Sequence, residues 1–487
     1  MADYDIVIRG GTVATATDTY TADVAIKDGI IAAVGRDLPP AGRDIDASGK
    51  FVLPGGVDSH AHIEQLSGMG VMNADNFESA TGSAARGGTT TVVCFAAQHK
   101  GKSLTRVVDD YHGLARKGAI IDYALHMILA DPNAHVLKEE LPPLVRSGHA
   151  SIKLFMTYEH TRVDDEQLLD TLIAARENKA LVCVHAENNG MISWMGRRLV
   201  ERGYKAPKFH GPHHPRLCES EAIYRLAAFS ELVDQPVIVY HVSTDEGARV
   251  IREARGRGVK MFGETCTQYL TLTVDDLDKP GLEGAKWVCS PPLRWKSDQD
   301  ALWQALDRGD LQFVSSDHAP YRPDATGKFL KGAEPPFKDI ANGMPGLELR
   351  LPLLFDAIVS QGRYSINRFV EWTSTAPARM YGLAPRKGTI AIGGDADICI
   401  WDANRRTTIT DATTHDNTGY SPYAGRTIQG WPVQVLRRGE LIVDDGRLSA
   451  TPGSGQFLPR DAGEAAKPTG RLSPEFDETR NFGARLY

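Results

Sequence analysis

The sequence predicts an α/β fold: a (β/α)8 TIM barrel with a flanking β-sandwich domain formed by both chain ends. Three observations predict it. Apolar segments bounded by polar residues or glycine recur eight times, with helical patterns between most of them; strands alternating with helices pair in parallel, and eight such units over about 270 residues fit a closed barrel. The two chain ends share a different texture, short strand patterns joined by tight turns. Histidine, lysine and aspartate also collect at the C-terminal ends of the apolar segments, where such a barrel builds its active site. An open doubly wound sheet is the alternative, but no glycine-rich phosphate loop follows an early strand.

In chain order, residues 1–50 form the first part of the sandwich. They read as a strand at Asp5–Arg9, a Gly10-Gly11 turn, a strand at Asp23–Ile26, a Lys27-Asp28-Gly29 turn and a strand at Ile30–Val34. Residues 51–384 form the barrel. Its candidate strands are Phe51–Leu53, Thr91–Phe95, Tyr123–Leu129, Ser151–Phe155, Leu181–Val184, Val237–Tyr240, Val259–Phe262 and Leu311–Val314. Of the helices between them, Asp164–Lys179 carries Leu168, Leu169, Leu172 and Ile173 on one face, and Thr244–Gly258 starts at a Thr244 cap and stops at a glycine. Residues 385–450 return to the sandwich with Asp397–Trp401, Val433–Leu436 and Leu441–Val443 before an Asp445-Gly446 turn. Residues 451–487 are rich in proline, glycine and charge, which predicts little core and disorder in isolation.

Composition narrows the class. A chain of 487 residues with 42% hydrophobic content can bury a large core. Its 62 acidic against 55 basic residues give a net charge of −7, and no basic block is present to track phosphates, so nucleic acid is not an expected partner. The amino terminus lacks a basic region followed by an apolar core, and no apolar run reaches the roughly 18 residues that span a bilayer. A cytoplasmic protein without a membrane partner is expected. The cysteines, Cys94, Cys183, Cys218, Cys266, Cys289 and Cys399, are far apart and form no C-x-x-C, which predicts reduced thiols packed in the core.

The candidate site begins at His60-Ala61-His62. Side chains alternate across a strand, so both imidazoles face one way, about 7 Å apart along the backbone, and can grip one metal ion. Such a pair is more often ordinary core or surface histidine, so the weight falls on what ends the other strands. Lys153 lies in strand four, His185 ends strand five, His241 strand six, and Asp317 strand eight. Their shared position at one rim favours a metal site. Lys153 lies among Ile152, Leu154 and Phe155; burial there depresses its pKa and yields a neutral amine able to take up carbon dioxide as a carbamate that bridges two ions. A lysine that reaches solvent or pairs with a carboxylate is the alternative.

These residues meet a family. His60-Ala61-His62, Lys153-Leu154-Phe155-Met156-Thr157-Tyr158, His185 in Val184-His185-Ala186-Glu187-Asn188, His241 before Val242-Ser243-Thr244, and Asp317 in Ser315-Ser316-Asp317-His318-Ala319-Pro320 together resemble the amidohydrolase superfamily, in its dihydropyrimidinase and hydantoinase branch. Cys289–Arg294, Asn342–Glu348 and Tyr420–Tyr423 extend the resemblance, which covers Asp5 to Arg460. It implies two zinc ions per subunit, His60 and His62 on one, His185 and His241 on the other, bridged by carboxylated Lys153 (N6-carboxylysine), with Asp317 as ligand and proton carrier. It implies that a hydroxide shared by the ions attacks the ring carbonyl of a cyclic amide, such as a hydantoin, a dihydropyrimidine or a related imide. Asp317 takes the hydroxide proton and delivers it to the leaving nitrogen. Tyr158 helps to stabilise the oxyanion, and backbone groups at Ser290 and Asn342 hold the ring amide edge.

Allantoinase or dihydroorotase is the alternative activity. A dihydroorotase should offer an arginine near the first histidine pair, and none follows His62 before Arg86. A non-catalytic scaffold related to dihydropyrimidinase is the alternative of another class, disfavoured because every ligand position is filled. The chain departs from the family pattern at Glu64–Met72, whose glycines suggest a mobile rim and whose methionines an adaptable apolar wall. Ala319 and Tyr321 also differ from the commoner residues and are expected behind the site. His213 and His214, in Phe209–Pro215, have the look of another metal site, but a solvated or substrate-side loop is the favoured expectation, and His318 is expected as a partner that orients the site. A homotetramer or homodimer is expected, with Phe476, Phe482, Leu486 and Tyr487 anchoring the C-terminal segment on a neighbour.

Overall fold

The computed structural model describes residues 3–486, in two sheets, one built from both ends of the chain and the other from its middle. The flanking sheet opens with β1 (Tyr4–Ala14), β2 (Thr19–Lys27), β3 (Ile30–Gly35), β4 (Ala41–Asp46) and β5 (Phe51–Pro54). The barrel follows as β6 (Gly56–Ala61), β7 (Thr89–Ala97), β8 (Asp122–Ile128), β9 (Ser151–Phe155), β10 (Leu181–His185), β11 (Val237–Val239), β12 (Met261–Cys266) and β13 (Phe313–Ser315). The chain then returns to the flanking sheet as β14 (Ile398–Thr408), β15 (Thr427–Arg437), β16 (Glu440–Asp444) and β17 (Arg447–Leu448).

The flanking sheet is ordered β17-β16-β15-β14-β5-β1-β2-β3, with β4 paired to β1. Both chain ends thus share one sheet. It covers a core of its own that includes Ile8, Val24, Ile31, Val52, Ile398 and Leu436. Two of its hairpins turn on a positive-φ pair, Asp28-Gly29 and Asp445-Gly446, as the two-residue turn requires. Gly10-Gly11 is not a turn. β1 runs straight through it, and the register slips there between Ile8 and Gly11; a side chain at Gly11 would meet Val52 Cγ2 at 2.4 Å, so the glycine serves close packing.

Phe51–Leu53, expected as the first barrel strand, lies in the flanking sheet. Leu53 pairs with Cys399 and Val52 with Val13. The barrel starts instead at Gly56. The chain crosses between the two sheets at Gly55, where a Cβ would sit 2.1 Å from Thr90 Oγ1.

The barrel strands are all parallel, in the order β13-β12-β11-β10-β9-β8-β7-β6. Closure comes just past the strand ends. Ser316 Oγ donates to the His60 carbonyl at 3.1 Å, and the His62 amide donates to the His318 carbonyl at 2.7 Å. The outer helices start where their caps dictate: Asp164 and Gln167 cap Asp165–Asn178 reciprocally, and Thr244 accepts from the Gly247 amide to open Asp245–Gly256.

The C-terminal segment is not disordered. The Tyr123 amide in β8 donates to the Gln456 carbonyl and the Leu458 amide to the Tyr123 carbonyl, and buried Arg460 donates to the Leu125 carbonyl and Ser151 Oγ at the N-terminal mouth of the barrel. Further on, Asp234 accepts amides from Thr469, Gly470 and Arg471. Of the expected anchors, Phe476 packs on the main core, Phe482 and Leu486 are exposed, and Tyr487 lies outside the described residues. All six cysteines are buried and unpaired, and among the described residues no helix is long and apolar enough to cross a membrane.

Candidate metal centre and active site

Parallel strands bring their C-terminal ends to one mouth, and the candidate residues arrive there from five of them. His60 is near the end of β6 and His62 just beyond it, Lys153 is inside β9, His185 ends β10, and His241 and Asp317 follow β11 and β13. With Tyr158, Ser290 and Asn342 they line one cavity of about 590 Å³. Register fixes the neighbours: Lys153 sits beside Cys183 and Phe155 beside His185. His241, Asp317 and Tyr158 all adopt positive φ, at 42°, 47° and 75°. Strained backbone of this kind persists only where the surroundings impose it, and it concentrates at functional sites.

His60 Nε2 and His62 Nε2 lie 3.1 and 3.5 Å from Asp317 Oδ1. One donor atom from each of the three falls within 4.8 Å of the other two. The opposite face of each imidazole is held: His60 Nδ1 donates to Glu264 Oε1 at 2.6 Å and His62 Nδ1 to Gln65 Oε1 at 2.8 Å. A carboxylate oxygen can only accept, so the Nδ1 hydrogen is fixed and Nε2 is left with its lone pair. His185 Nε2 donates in the same way to Glu187 Oε2 at 2.6 Å, which frees its Nδ1. The His185 and His241 rings approach to 4.3 Å between centroids.

Two orphaned atoms complete the picture. Lys153 Nζ and His241 Nδ1 are buried without any hydrogen-bond partner. The ammonium has only ring faces near it, 4.1 Å from the Tyr240 centroid and 4.9 Å from that of Phe155. Burial lowers Lys153 to about 8, and burial likewise pushes His241 well below and His62 and His185 below the ordinary imidazole value. Burial would raise Asp317, but neighbouring His60 and His62 outweigh it and hold the carboxyl ionised. Burial likewise opposes a charge on His60, but Glu264 and Asp317 prevail and raise its pKa. Four imidazoles, one carboxylate and an unpartnered buried lysine suit a pair of divalent ions bridged by a lysine carbamate.

Tyr158 reaches in from the loop after β9, its ring 5.1 Å from that of His185. Burial, with the Glu187 charge, pushes its hydroxyl well above the ordinary value, so it stays a proton donor; Ser290 and Asn342 line the same cavity.

Other residues stand where sequence reasoning did not put them. Glu264 was missed altogether. It lies on β12 beyond the expected strand end at Phe262, and the only signal was a carboxylate inside an otherwise apolar strand. Gln65 belongs to the rim read as mobile, yet it orients His62. Ala319 and Tyr321 do not lie behind the site; they line the cavity, with Met69 packed against them. His213 and His214 line it too, on the substrate side as one of the expected alternatives had it, and both are buried because their loop packs against Phe337 and Glu187. His318 holds the closure of the barrel: Nε2 donates to Asp75 Oδ2 at 3.1 Å, and Nδ1 accepts from the Gly346 amide at 3.2 Å.

Residues 51–442 match the amidohydrolase family. The chain is 43% identical to a D-hydantoinase of Rhizobium radiobacter over 457 residues, covering 94% of this chain and 99% of the relative. It is 44% identical to a D-hydantoinase of Streptomyces coelicolor, covering 93% and 97%. The crystal structure of dihydropyrimidinase from Brevibacillus agri superimposes with a TM-score of 0.90 at 43% identity, covering 94% of this chain and 98% of that one. The chain belongs to the amidohydrolase family, in its hydantoinase and dihydropyrimidinase branch.

Proposed function

We propose that this chain is a binuclear zinc cyclic amidohydrolase that opens the ring of hydantoins, dihydropyrimidines or related cyclic imides. The observation that carries the reading is the orphaned Lys153 Nζ beside four histidines and Asp317 at one mouth of the barrel. The relatives named D-hydantoinase and dihydropyrimidinase support the choice of substrate. His60 and His62 would hold one ion, His185 and His241 the other, with carboxylated Lys153 between them and Asp317 as a further ligand. Bound there, the ions supply a water acidified to near-neutral pH and Lewis-acid polarisation of the substrate carbonyl.

The protein's own groups do the rest. Asp317, kept ionised 3.1 Å from His60 and 3.5 Å from His62, takes a proton from the attacking water and returns it to the leaving ring nitrogen. The Tyr158 hydroxyl donates to the oxygen that gains charge as the carbonyl becomes tetrahedral. Backbone groups at Ser290 and Asn342 receive the cyclic amide edge. The reading takes the enzyme as cytoplasmic, and as a homotetramer or homodimer that buries exposed Phe482 and Leu486.

A substrate panel tests it. The zinc-loaded protein is expected to hydrolyse hydantoin, a 5-substituted hydantoin or dihydrouracil ahead of allantoin, dihydroorotate and succinimide, with both enantiomers of the substituted hydantoin compared. Turnover of none of them with metal fully bound refutes the assignment.

A further inference from the structure

A second histidine cluster stands apart from the residues assigned above. The segment His210-Gly211-Pro212-His213-His214 folds three buried imidazoles together, with ring centroids 4.8 Å apart for His210 and His214, 4.6 Å for His213 and His214, and 6.0 Å for His210 and His213. A nitrogen from each lies within 4.8 Å of the other two. Two of the rings are committed on their outer side. His210 Nε2 donates to the Cys289 carbonyl at 2.7 Å, and His214 Nδ1 donates to Glu187 Oε1 at 2.8 Å. Both acceptors fix the tautomer, which leaves lone pairs on His210 Nδ1 and His214 Nε2.

Nothing in the protein uses what remains. His210 Nδ1 and His213 Nδ1 are buried without a hydrogen-bond partner. A buried polar atom left unsatisfied is unfavourable, and two orphans in one cluster point to an absent ligand. Burial pushes His210 down to about 3 and His213 to about 2, so the cluster does not hold itself together by sharing protons. Imidazoles whose outer N–H rests on a carboxylate or a carbonyl have the surroundings of metal-ligating histidines. Around a tetrahedral ion with Zn–N bonds of about 2.0–2.1 Å, the ring centroids fall about 5 Å apart, in the middle of the observed separations.

We propose that His210, His213 and His214 bind a divalent transition-metal ion of the zinc class, at a site separate from the one formed by His60, His62, His185, His241 and Asp317. Three imidazole ligands favour zinc, cobalt or nickel over magnesium or calcium, which require oxygen. The two sites communicate through Glu187, whose other oxygen holds His185 Nε2 at 2.6 Å. Room for the cluster is made by Gly196 in the helix Asn189–Glu201, where a Cβ would meet His213 Nε2 at 2.7 Å.

Zinc content after equilibrium dialysis of the full chain, together with titration of the metal-free protein against a chromogenic zinc chelator, tests the proposal. His213→Ala is expected to hold one equivalent fewer than the natural protein. Gly196→Ala, which crowds His213 and keeps all three ligands, is expected to weaken that equivalent by about tenfold or more. The double variant His60→Ala/His62→Ala is expected to keep it and, loaded with cobalt(II), to show a visible absorption band that disappears when His213→Ala is added. This double variant separates the new site from the proposed catalytic centre, so either can fail without the other. Equal zinc content in the natural protein, His213→Ala and Gly196→Ala overturns the proposal, as does a cobalt-loaded double variant without the band.

Discussion

Replacing Glu264 with glutamine is the sharpest probe of how the barrel holds its proposed metal centre. The Glu264 carboxylate is buried, accepts from His60 Nδ1 at 2.6 Å and from the His241 amide at 3.3 Å, and so touches a ligand residue of each ion. Glutamine keeps the size and an acceptor oxygen but loses the charge. A hydrogen bond to a charged group contributes about 1.5–3 kcal/mol and a neutral one about 0.5–1.5, so the exchange removes about 1–1.5 kcal/mol of support for His60 as a ligand. At 1.4 kcal/mol per tenfold this is about a tenfold loss, the lower end of the 10–100-fold that outer partners of metal-bound histidines typically contribute. The assay is kcat/KM for hydantoin opening as a function of free zinc in a metal buffer. Glu264→Gln is expected to shift the zinc dependence by about tenfold while excess zinc restores most of the rate. The reasoning also requires a gain elsewhere. Burial raises the Glu264 pKa, so the metal-free variant, relieved of a desolvated carboxylate, should be no less stable than the natural protein. Superimposable zinc curves for the two proteins would refute the role assigned to Glu264.

Tyr158→Phe keeps the ring against His185 and removes the hydroxyl; a fall in kcat of about 100-fold or more with a much smaller change in KM is expected from steady-state kinetics. Lys153→Ala should lose both bound zinc and activity, and reconstitution of the natural protein with zinc should yield more activity with bicarbonate than without; equal yields would exclude a carbamate. Lys387 tests the joint between the sheets. Its Nζ lies 2.7 Å from Asp122 at the start of β8, and 2.9 and 2.7 Å from Asp395 and Asp397 just before β14, all buried. Lys387→Met leaves buried Asp397 without a cation, while Asp122 keeps Arg438 and Asp395 keeps Arg386, and should cost about 3–5 kcal/mol, a fall of about 3–5 °C in the thermal midpoint for a chain of this length. Burial opposes the lysine's charge, but the three carboxylates outweigh it and raise its pKa, so its contribution is whole below the unfolded value and lost as pH rises through the folded one. Burial likewise opposes ionised Asp122, but the Lys387 charge prevails and lowers its pKa, so that contribution disappears as pH falls from the unfolded to the folded value. The difference in midpoint between the two proteins should therefore be flat from about pH 5 to 9 and shrink at both extremes.

The barrel was legible because strands buried on both faces read as continuous apolar runs, and the site because ligand residue types recur at their ends. What failed was decided by partners far along the chain. Phe51–Ala61 reads as one strand-like stretch broken at Pro54-Gly55-Gly56, and burial does not alternate along either half. Only pairing with Cys399 and Val52's contact with β1 assign the first half to the flanking sheet. Glu264 lies 204 positions from His60, so nothing local marks it as that histidine's partner. The polarity of His213-His214-Pro215 suggests solvation, and a Glu187 oxygen reserved for His214 is invisible until β10 and the loop are brought together. The tail misled for the same reason: its composition offers no core, but it needs none when Arg460 enters one the barrel already provides.

The distribution of roles around the cavity has a mechanical logic. The residues assigned to metal stand on β6, β9 and β10 or within two positions of β6, β11 and β13, where hydrogen-bonded register fixes them. Besides strand residues Ala97, Ile128 and Phe155 and one face of the helix Asn189–Glu201, the wall is loop: Leu66 and Met69 before the first helix, Thr157 to Thr161 after β9, and Ala341 to Gly343, with His213 and His214 nearby. A substitution in those loops changes shape or polarity without shifting the strand register, so the reaction is insulated from changes in what the cavity admits. Tyr158, Gln65 and Glu187 are the exceptions, because each is in the wall or next to it and also touches a strand-end histidine. Change at those three positions would alter substrate fit and chemistry together, and it is there that the departures of the rim from the family pattern must stop.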